Sequence, residues 1–313
     1  MPDVVISEFM DEAAVRDRLY GFDVLYDPSL VDRPDELATA VAHARALIVR
    51  NRTPVRGALL ENAAKLQVVG RLGVGLDNID VEACRARGIA VHPATGANDV
   101  AVAEYVVATA MLLLRGAFGA TAEVMTGAWP RNRLMGREVS GKRLGLVGFG
   151  SIARETARRA AALGMTVAAY DPYVASEDPA WTQPWGRVEA TDLPNLLSAS
   201  DVVSLHVPLT PETRDLIDAA ALARLKPGAI LINAARGGIV VEAALADALR
   251  AGRLGGAALD VFAAEPLSAD AGAVFAGCPN LVLTPHVAGV TQESNVRVSE
   301  VTAEAVRRHL SGA

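Results

Sequence analysis

The sequence predicts an α/β protein made of two parallel-sheet domains, and three observations carry that prediction. Short β-like runs alternate with amphipathic stretches along nearly the whole chain, the βαβα order that builds a parallel sheet covered on both faces. The stretch Gly141 to Asp171, GKRLGLVGFGSIARETARRAAALGMTVAAYD, sets a strand, a glycine turn, a helix, a second strand and an acid in succession. The length, 313 residues, is enough for two domains with cores of their own.

Taken in order, Val4–Ser7, Asp23–Tyr26, Ala46–Arg50, Gln67–Gly70 and Ile89–His92 read as strands. Asp11–Tyr20, Pro34–Ala42, Val55–Ala63 and Val81–Arg87 read as the helices between them, with Gly88 as a helix C-cap. From Asn98 a long helix is expected to run to about Met125. After the glycine turn, Val202–Leu205, Ala229–Ile232, Ala257–Leu259 and Leu281–Leu283 read as strands. Helices near Leu193–Ala199, Ala219–Ala223 and Val241–Ala251 separate them, and a last helix spans Gln292 to Leu310. The segment Ser176 to Asp192, SEDPAWTQPWGRVEATD, has prolines and tryptophans without a period and reads as a surface excursion.

The glycine turn carries the first chemistry. Gly148 allows a tight turn, and Gly150 lets backbone approach a pyrophosphate with no Cβ in the way. The N–H groups opening the helix at Ser151, with its dipole, suit phosphate charge. Ala153 stands at the third position, where only close helix–strand packing is asked. Asp171 follows Gly150 by 21 residues at the end of the second strand, where a carboxylate accepts from a ribose hydroxyl. The same carboxylate repels a 2′-phosphate, and Pro172 and Tyr173 offer no cation. The expected cofactor is therefore NAD and not NADP.

Composition removes other classes. Hydrophobic residues make up 51% and charged ones 21%, a globular balance. A net charge of -6 gives no global attraction for nucleic acid. The two cysteines, Cys84 and Cys278, lie in no C-x-x-C and near no His, so neither a disulfide framework nor a zinc site is expected. Met1-Pro2-Asp3 runs into Val4-Val5-Ile6 with no basic n-region, which points to the cytoplasm. The apolar segment Val100 to Leu114 contains Glu104 and falls short of the roughly 20 residues a membrane span needs, so a buried helix and no membrane is the reading.

Polar residues follow three of the later strands, where ligands collect in open parallel sheets. Ile230-Leu231-Ile232-Asn233-Ala234-Ala235-Arg236 places Arg236 beside two glycines; Ala257-Ala258-Leu259-Asp260 leads to Glu265-Pro266; Leu281-Val282-Leu283-Thr284-Pro285-His286 leads to Gly289. Arg236 can hold an α-carboxylate bidentately and polarise the adjoining carbonyl. His286 can exchange a proton with the oxygen as hydride moves to or from carbon. Glu265 beside His286 would favour the charged imidazole.

With these residues in place the chain resembles the D-isomer-specific 2-hydroxyacid dehydrogenases over essentially its whole length. The resemblance rests on GFGSIA with Asp171, on SLHVPLTPET from Ser204 to Thr213, on Asn233-Ala234-Ala235-Arg236-Gly237, on Asp260-Val261-Phe262 through Glu265-Pro266, and on Thr284-Pro285-His286. It implies a catalytic set of Arg236, Glu265 and His286. It also implies cofactor binding by Gly148, Gly150, Ser151, Ile152, Asp171, His206, Pro208, Thr213, Ala234, Asp260 and Gly289, with Asp260 near the nicotinamide. The implied fold is two Rossmann-like or flavodoxin-like domains with the active site in the interdomain cleft. The substrate domain is then discontinuous, 1–97 plus 288–313, around a nucleotide domain at 98–287, and a homodimer is expected through the latter.

For the substrate, Arg71-Leu72-Gly73-Val74-Gly75 resembles the family's substrate loop, whose N–H groups around Val74 and Gly75 face a carboxylate. Arg50, Arg52 and Arg71 add cations that a simple hydroxy acid does not call for. The pattern is similar to the phosphoglycerate dehydrogenase branch, and VISEFMDEAAV with RNRT brings it closer to sulfolactate dehydrogenases. The expected substrate is a 2-hydroxy acid with a second anion, sulfonate or phosphate. Alternatively Arg50, Arg52 and Arg71 are structural, which would leave a glyoxylate or hydroxypyruvate reductase. A rival of another class is a non-catalytic NAD-sensing protein like the corepressors of this fold.

Overall fold

A computed structural model of the protein describes residues 1–312. The chain separates into two compact units, Met1–Asn98 joined by the segment from Val290 onward, and Asp99–Gly289.

The first unit is built on five parallel strands, β1 (Val4–Ile6), β2 (Val24–Tyr26), β3 (Ala46–Val49), β4 (Val68–Arg71) and β5 (Ala90–Pro93), ordered β2-β1-β3-β4-β5. α1 (Glu12–Arg18), α2 (Pro34–Val41), α3 (Gly57–Asn62) and α4 (Val81–Ala86) connect them. Every residue of β1 and β3 is buried, because both faces of the sheet are covered and an apolar run has no polar side to show. One face packs Ile6, Ile48 and Val68 on α1, and the other packs Val5, Leu47 and Val69 toward α2 and α3.

The second unit opens with α5 (Asp99–Arg115) and α6 (Thr121–Met125). β6 (Arg143–Val147), α7 (Ser151–Ala162) and β7 (Thr166–Tyr170) follow. A small antiparallel pair, β8 (Thr182–Gln183) and β9 (Gly186–Arg187), precedes β10 (Glu189–Ala190). Then come α8 (Leu193–Ala199), β11 (Val202–Leu205), α9 (Ala219–Arg224), β12 (Ile230–Asn233), α10 (Glu242–Arg250), β13 (Gly256–Leu259), α11 (Ala269–Gly272) and β14 (Leu281–Leu283). Seven of these strands form one parallel sheet in the order β10-β7-β6-β11-β12-β13-β14.

The helix starts have a common chemical device. Asp11, Asp80, Asp192 and Asp218 each accept from the N–H three residues on, at 2.8–2.9 Å, satisfying a donor that the helix itself leaves open. The last helix, α12 (Gln292–Ser311), belongs to the first unit and ends on Gly312 at φ 71°. It lies so close to β4 that a Cβ on Gly70 would come within 2.7 Å of Thr302 and 2.8 Å of Val306.

Two expectations need correcting. The long helix does not reach Met125: α5 ends at Arg115, because Gly116 turns left-handed at φ 63°, and the segment from Phe118 to Met125 bends 66° away. The segment 176–192 is not merely a surface excursion. Trp181 is buried within it, and its end adds β10 to the sheet beside β7. Among the described residues no single helix is long and apolar enough to cross a membrane.

Candidate active site

Sheet order converts the separate sequence motifs into one row. At the C-terminal ends of adjacent strands stand, in order across the sheet, Asp171 after β7, Gly148 after β6, His206 after β11, Ala234 to Arg236 after β12, Asp260 after β13 and Thr284 to His286 after β14. Neighbouring strands lie about 4.8 Å apart. The chain leaves β6 for β7 on one side and returns to β11 on the other, so the glycine turn sits at the switch point where such sheets open a crevice.

The nucleotide end of the row fits a dinucleotide. Gly148 has φ 93°, and a Cβ there would meet the His206 carbonyl oxygen at 2.6 Å. A Cβ on Gly150 would meet nothing within 4 Å, so the turn is open where the phosphates would approach. The first N–H groups of α7, at Ser151 and Ile152, precede any residue whose carbonyl they could use within the helix. Asp171 holds the turn: its Oδ2 accepts from Phe149 N–H at 2.9 Å and its Oδ1 from Tyr173 N–H at 2.9 Å. The Thr213 hydroxyl donates to Pro208 O at 2.6 Å and accepts from Thr210 N–H at 2.8 Å, fixing the loop after β11. His206 lies 2.9 Å from Ser204 Oγ, and burial pushes its imidazole down to about 4, so it is neutral at neutral pH.

Sequence reasoning passed over Asp99, at the start of α5. Burial pushes its carboxyl up against the opposing hydrogen bond with Ser151, and Glu155 adds repulsion.

At the other end of the row, His286 Nδ1 lies 2.7 Å from Glu265 Oε2. Glu265 Oε1 accepts from Phe262 N–H at 3.0 Å, which fixes the carboxylate plane. Burial pushes the Glu265 carboxyl up. The bonds from His286 and Phe262 and the charges of His286 and Arg236 outweigh it, leaving Glu265 below the ordinary glutamate value. Arg236 follows a turn braced by Asn233, which is buried, accepts from Ala235 N–H at 3.1 Å and donates to Arg236 O at 2.9 Å. Gly237 permits this turn to touch the Glu265 loop, since a Cβ there would lie 1.7 Å from Phe262 O.

Asp260 is expected beside a nicotinamide, yet its carboxylate is engaged by the histidine loop. It is 1% exposed, and its Oδ1 accepts from the Thr284 hydroxyl at 2.6 Å and from Val287 N–H at 2.8 Å. Its Oδ2 accepts from Ala288 N–H at 2.8 Å. Within that loop His286 has φ 56°, a left-handed conformation that costs a non-glycine residue roughly 1–2 kcal/mol. The bonds to the Asp260 carboxylate, with His286 N–H donating to Asp260 O at 2.8 Å, help offset that cost.

In the first unit the residues at the strand ends behave differently from one another. The order β2-β1-β3-β4-β5 puts a switch point between β1 and β3, and Glu8, Phe9 and Arg50 lie there. Glu8 is 4% exposed and accepts from the N–H groups of Arg50 at 2.9 Å, Arg52 at 3.1 Å and Thr53 at 2.9 Å. It therefore shapes the loop after β3, a role that no local pattern in the sequence signals. Arg50 turns to α12, donating to Asn295 Oδ1 at 2.6 Å with its guanidinium 5.7 Å from the Phe9 ring centroid. Arg52 does not join it; its side chain forms an exposed ion pair with Asp32. Arg71 folds back on its own loop, Nη1 donating to Leu72 O at 2.9 Å above Gly73, just ahead of Val74 and Gly75.

Residues 107–288 match the family described as D-isomer specific 2-hydroxyacid dehydrogenase, NAD binding domain. An (S)-sulfolactate dehydrogenase from Chromohalobacter salexigens is 57% identical over 310 residues, 99% of each chain. A D-3-phosphoglycerate dehydrogenase from Mycobacterium tuberculosis is 44% identical over 284 residues, covering 90% of this chain but only 52% of that protein. Among solved structures, D-lactate dehydrogenase from Aquifex aeolicus, complexed with NAD and lactic acid, superposes with a TM-score of 0.83 at 27% identity, covering 99% of this chain and 96% of that one.

Proposed function

The chain belongs to the D-isomer specific 2-hydroxyacid dehydrogenases, and from that premise we propose that its substrate is a 2-hydroxy acid with a second anionic group, sulfolactate first and 3-phosphoglycerate second. The enzyme is an NAD-dependent dehydrogenase that interconverts a 2-hydroxy acid and its 2-keto acid. Bound NAD supplies the hydride acceptor; the protein must bind the acid, orient it and move one proton. We assign the α-carboxylate and carbonyl to Arg236 and the N–H groups near Val74 and Gly75, and the proton to His286 Nε2, with Glu265 on the far ring nitrogen.

The observation that carries the second anion is Arg50. Its guanidinium is half-buried, its side-chain acceptor is the neutral Asn295, the Glu8 carboxylate acts on it through its charge, and among the described residues its buried Nε has no hydrogen-bond partner. A half-buried cation with a donor still open suits an anionic group, and the 57% identity to a sulfolactate dehydrogenase favours a sulfonate. A sulfonate offers three acceptor oxygens to such a group. NAD+ reduction with sulfolactate, 3-phosphoglycerate, glycerate and lactate tests the reading. We expect Arg50→Met to lower kcat/KM for sulfolactate about 100-fold, the scale of a charge-assisted bidentate contact. Lactate turnover should change less than about threefold, and Arg52→Ala should change neither, because exposed ion pairs contribute little. Equal wild-type rates on lactate and glycerate, untouched by Arg50→Met, would instead indicate a glyoxylate or hydroxypyruvate reductase.

The Glu265 assignment has its own test. Because its carboxyl is held below the ordinary value of 4.5, the charged partner of His286 is present above the usual carboxylate range and is lost only as pH falls through that lowered value. Glu265→Gln removes this charge at every pH. We expect the pH–rate profile for 2-keto acid reduction to move about one unit toward acid; a superimposable profile would remove Glu265 from the proton-handling pair.

We also propose a homodimer formed through the nucleotide unit, supported by the exposed Phe118, Trp129 and Met135, 67%, 75% and 81% accessible. A cytoplasmic setting is supported by two free cysteines, Cys84 and Cys278.

A further inference from the structure

The residue between the two glycines of the fingerprint is held on three sides, by three different segments. Phe149 is fully buried. Its N–H donates to Asp171 Oδ2 at 2.9 Å, and its carbonyl accepts from Arg154 Nε at 3.0 Å. Its ring stacks on Trp181 with centroids 4.7 Å apart and planes 9° from parallel. The Arg154 guanidinium carbon also stands over that ring, 5.3 Å from its centroid. Trp181 is itself fixed, its indole N–H donating to Ala175 O at 2.7 Å and its carbonyl accepting from Val188 N–H at 2.9 Å.

Glycine loses more conformational freedom on ordering than any other residue, and Phe149 lies between two of them. Left unbraced, Gly148 and Gly150 would spread the turn over many conformations, and NAD would bear the cost of selecting one. From this geometry we propose that Arg154 and Trp181 are positioning residues for the cofactor. They clamp Phe149 from α7 and from the 176–190 segment, so that the N–H groups from Gly150 to Ile152 are already arranged for a pyrophosphate. Neither residue need touch the nucleotide. The effect acts on cofactor affinity, since the row from Arg236 to His286 is held by other bonds.

Trp181→Ala and Arg154→Met test this, with Trp181→Phe as the conservative variant that keeps a stacking ring. NADH affinity is read from nucleotide fluorescence, and amide hydrogen exchange of residues 149–152 is followed in nucleotide-free protein. Stacking and cation–π contacts each contribute on the order of 1 kcal/mol, so each disruptive variant should weaken NADH about 5–10-fold. The loss should fall on KM for NAD+ and not on kcat at saturation, the turn amides should exchange faster, and Trp181→Phe should return affinity to within about twofold of wild type. Unchanged NADH affinity in both disruptive variants overturns the proposal. So does an equal fall in kcat that Trp181→Phe does not restore, because that pattern belongs to general damage. Should Trp181→Ala fail to fold, Arg154→Met decides alone.

Discussion

Replacing His286 by alanine is expected to lower turnover by about 10²–10⁴-fold, the span that a positioned acid–base group contributes, while leaving NADH affinity within about twofold. The separation follows from the row of strand ends. His286 stands after β14 and, among the described residues, its side-chain hydrogen-bond partner is Glu265, whereas the glycine turn stands after β6, four strands nearer the other edge. Removing the imidazole leaves Asp171 and the N-terminus of α7 untouched. Steady-state rates at saturating NAD+ and a fluorescence titration with NADH are enough to check it. A variant that keeps a tenth or more of wild-type turnover would show that another group carries the proton.

The residues of that row were legible in the sequence because each announces itself locally. A short apolar run followed at once by a charged or small polar residue is visible without any contact information, and so are two glycines spaced by one residue before a helical pattern. What could not be read is the direction of side chains across long separations. Glu8 looks like one more acid in a mixed stretch, yet 42 residues later it organises the Arg50 loop. Arg50 and Arg52 look like a pair, but a separation of two along a loop does not say which will meet Asp32, 20 residues upstream, and which will meet Asn295, 245 residues downstream. Trp181 sits in an aperiodic, proline-bearing segment, where absence of pattern suggested the surface; its partner Phe149 is 32 residues away in sequence and stacked on it in space. The helix expected from Asn98 to about Met125 stops short because an isolated glycine such as Gly116 does not announce its φ in the sequence, and here that φ is left-handed.

Asp260 gives the other large expected effect, and it separates two roles for one carboxylate. If its main work is at the nicotinamide, Asp260→Asn should raise KM for NAD+ and leave the protein's stability near that of wild type. The bonds to Thr284, Val287 and Ala288 point elsewhere. Asp260→Ala strands the N–H of Ala288, which is 4% exposed, and loosens that of Val287; at roughly 1–3 kcal/mol for a buried donor left unsatisfied, the loss of stability should be about 2–4 kcal/mol. Without those bonds His286 is held by its own N–H donating to Asp260 O at 2.8 Å and by Glu265, a weaker constraint on its left-handed φ that lets the imidazole shift against Glu265. A misplacement of about 1 Å is enough to cost on the order of 100-fold in rate, so kcat should fall by that factor in Asp260→Ala even well below its melting temperature. Asp260→Asn keeps the shape but sets an amide N–H against one of the loop's own donors, and we expect a smaller loss of stability with a fall in kcat still exceeding any rise in KM for NAD+. Thermal unfolding and initial rates over a range of NAD+ concentrations measure both quantities. A stable Asp260→Ala with near wild-type kcat would mean that the loop holds His286 without this carboxylate. A change confined to KM for NAD+ would return Asp260 to the cofactor.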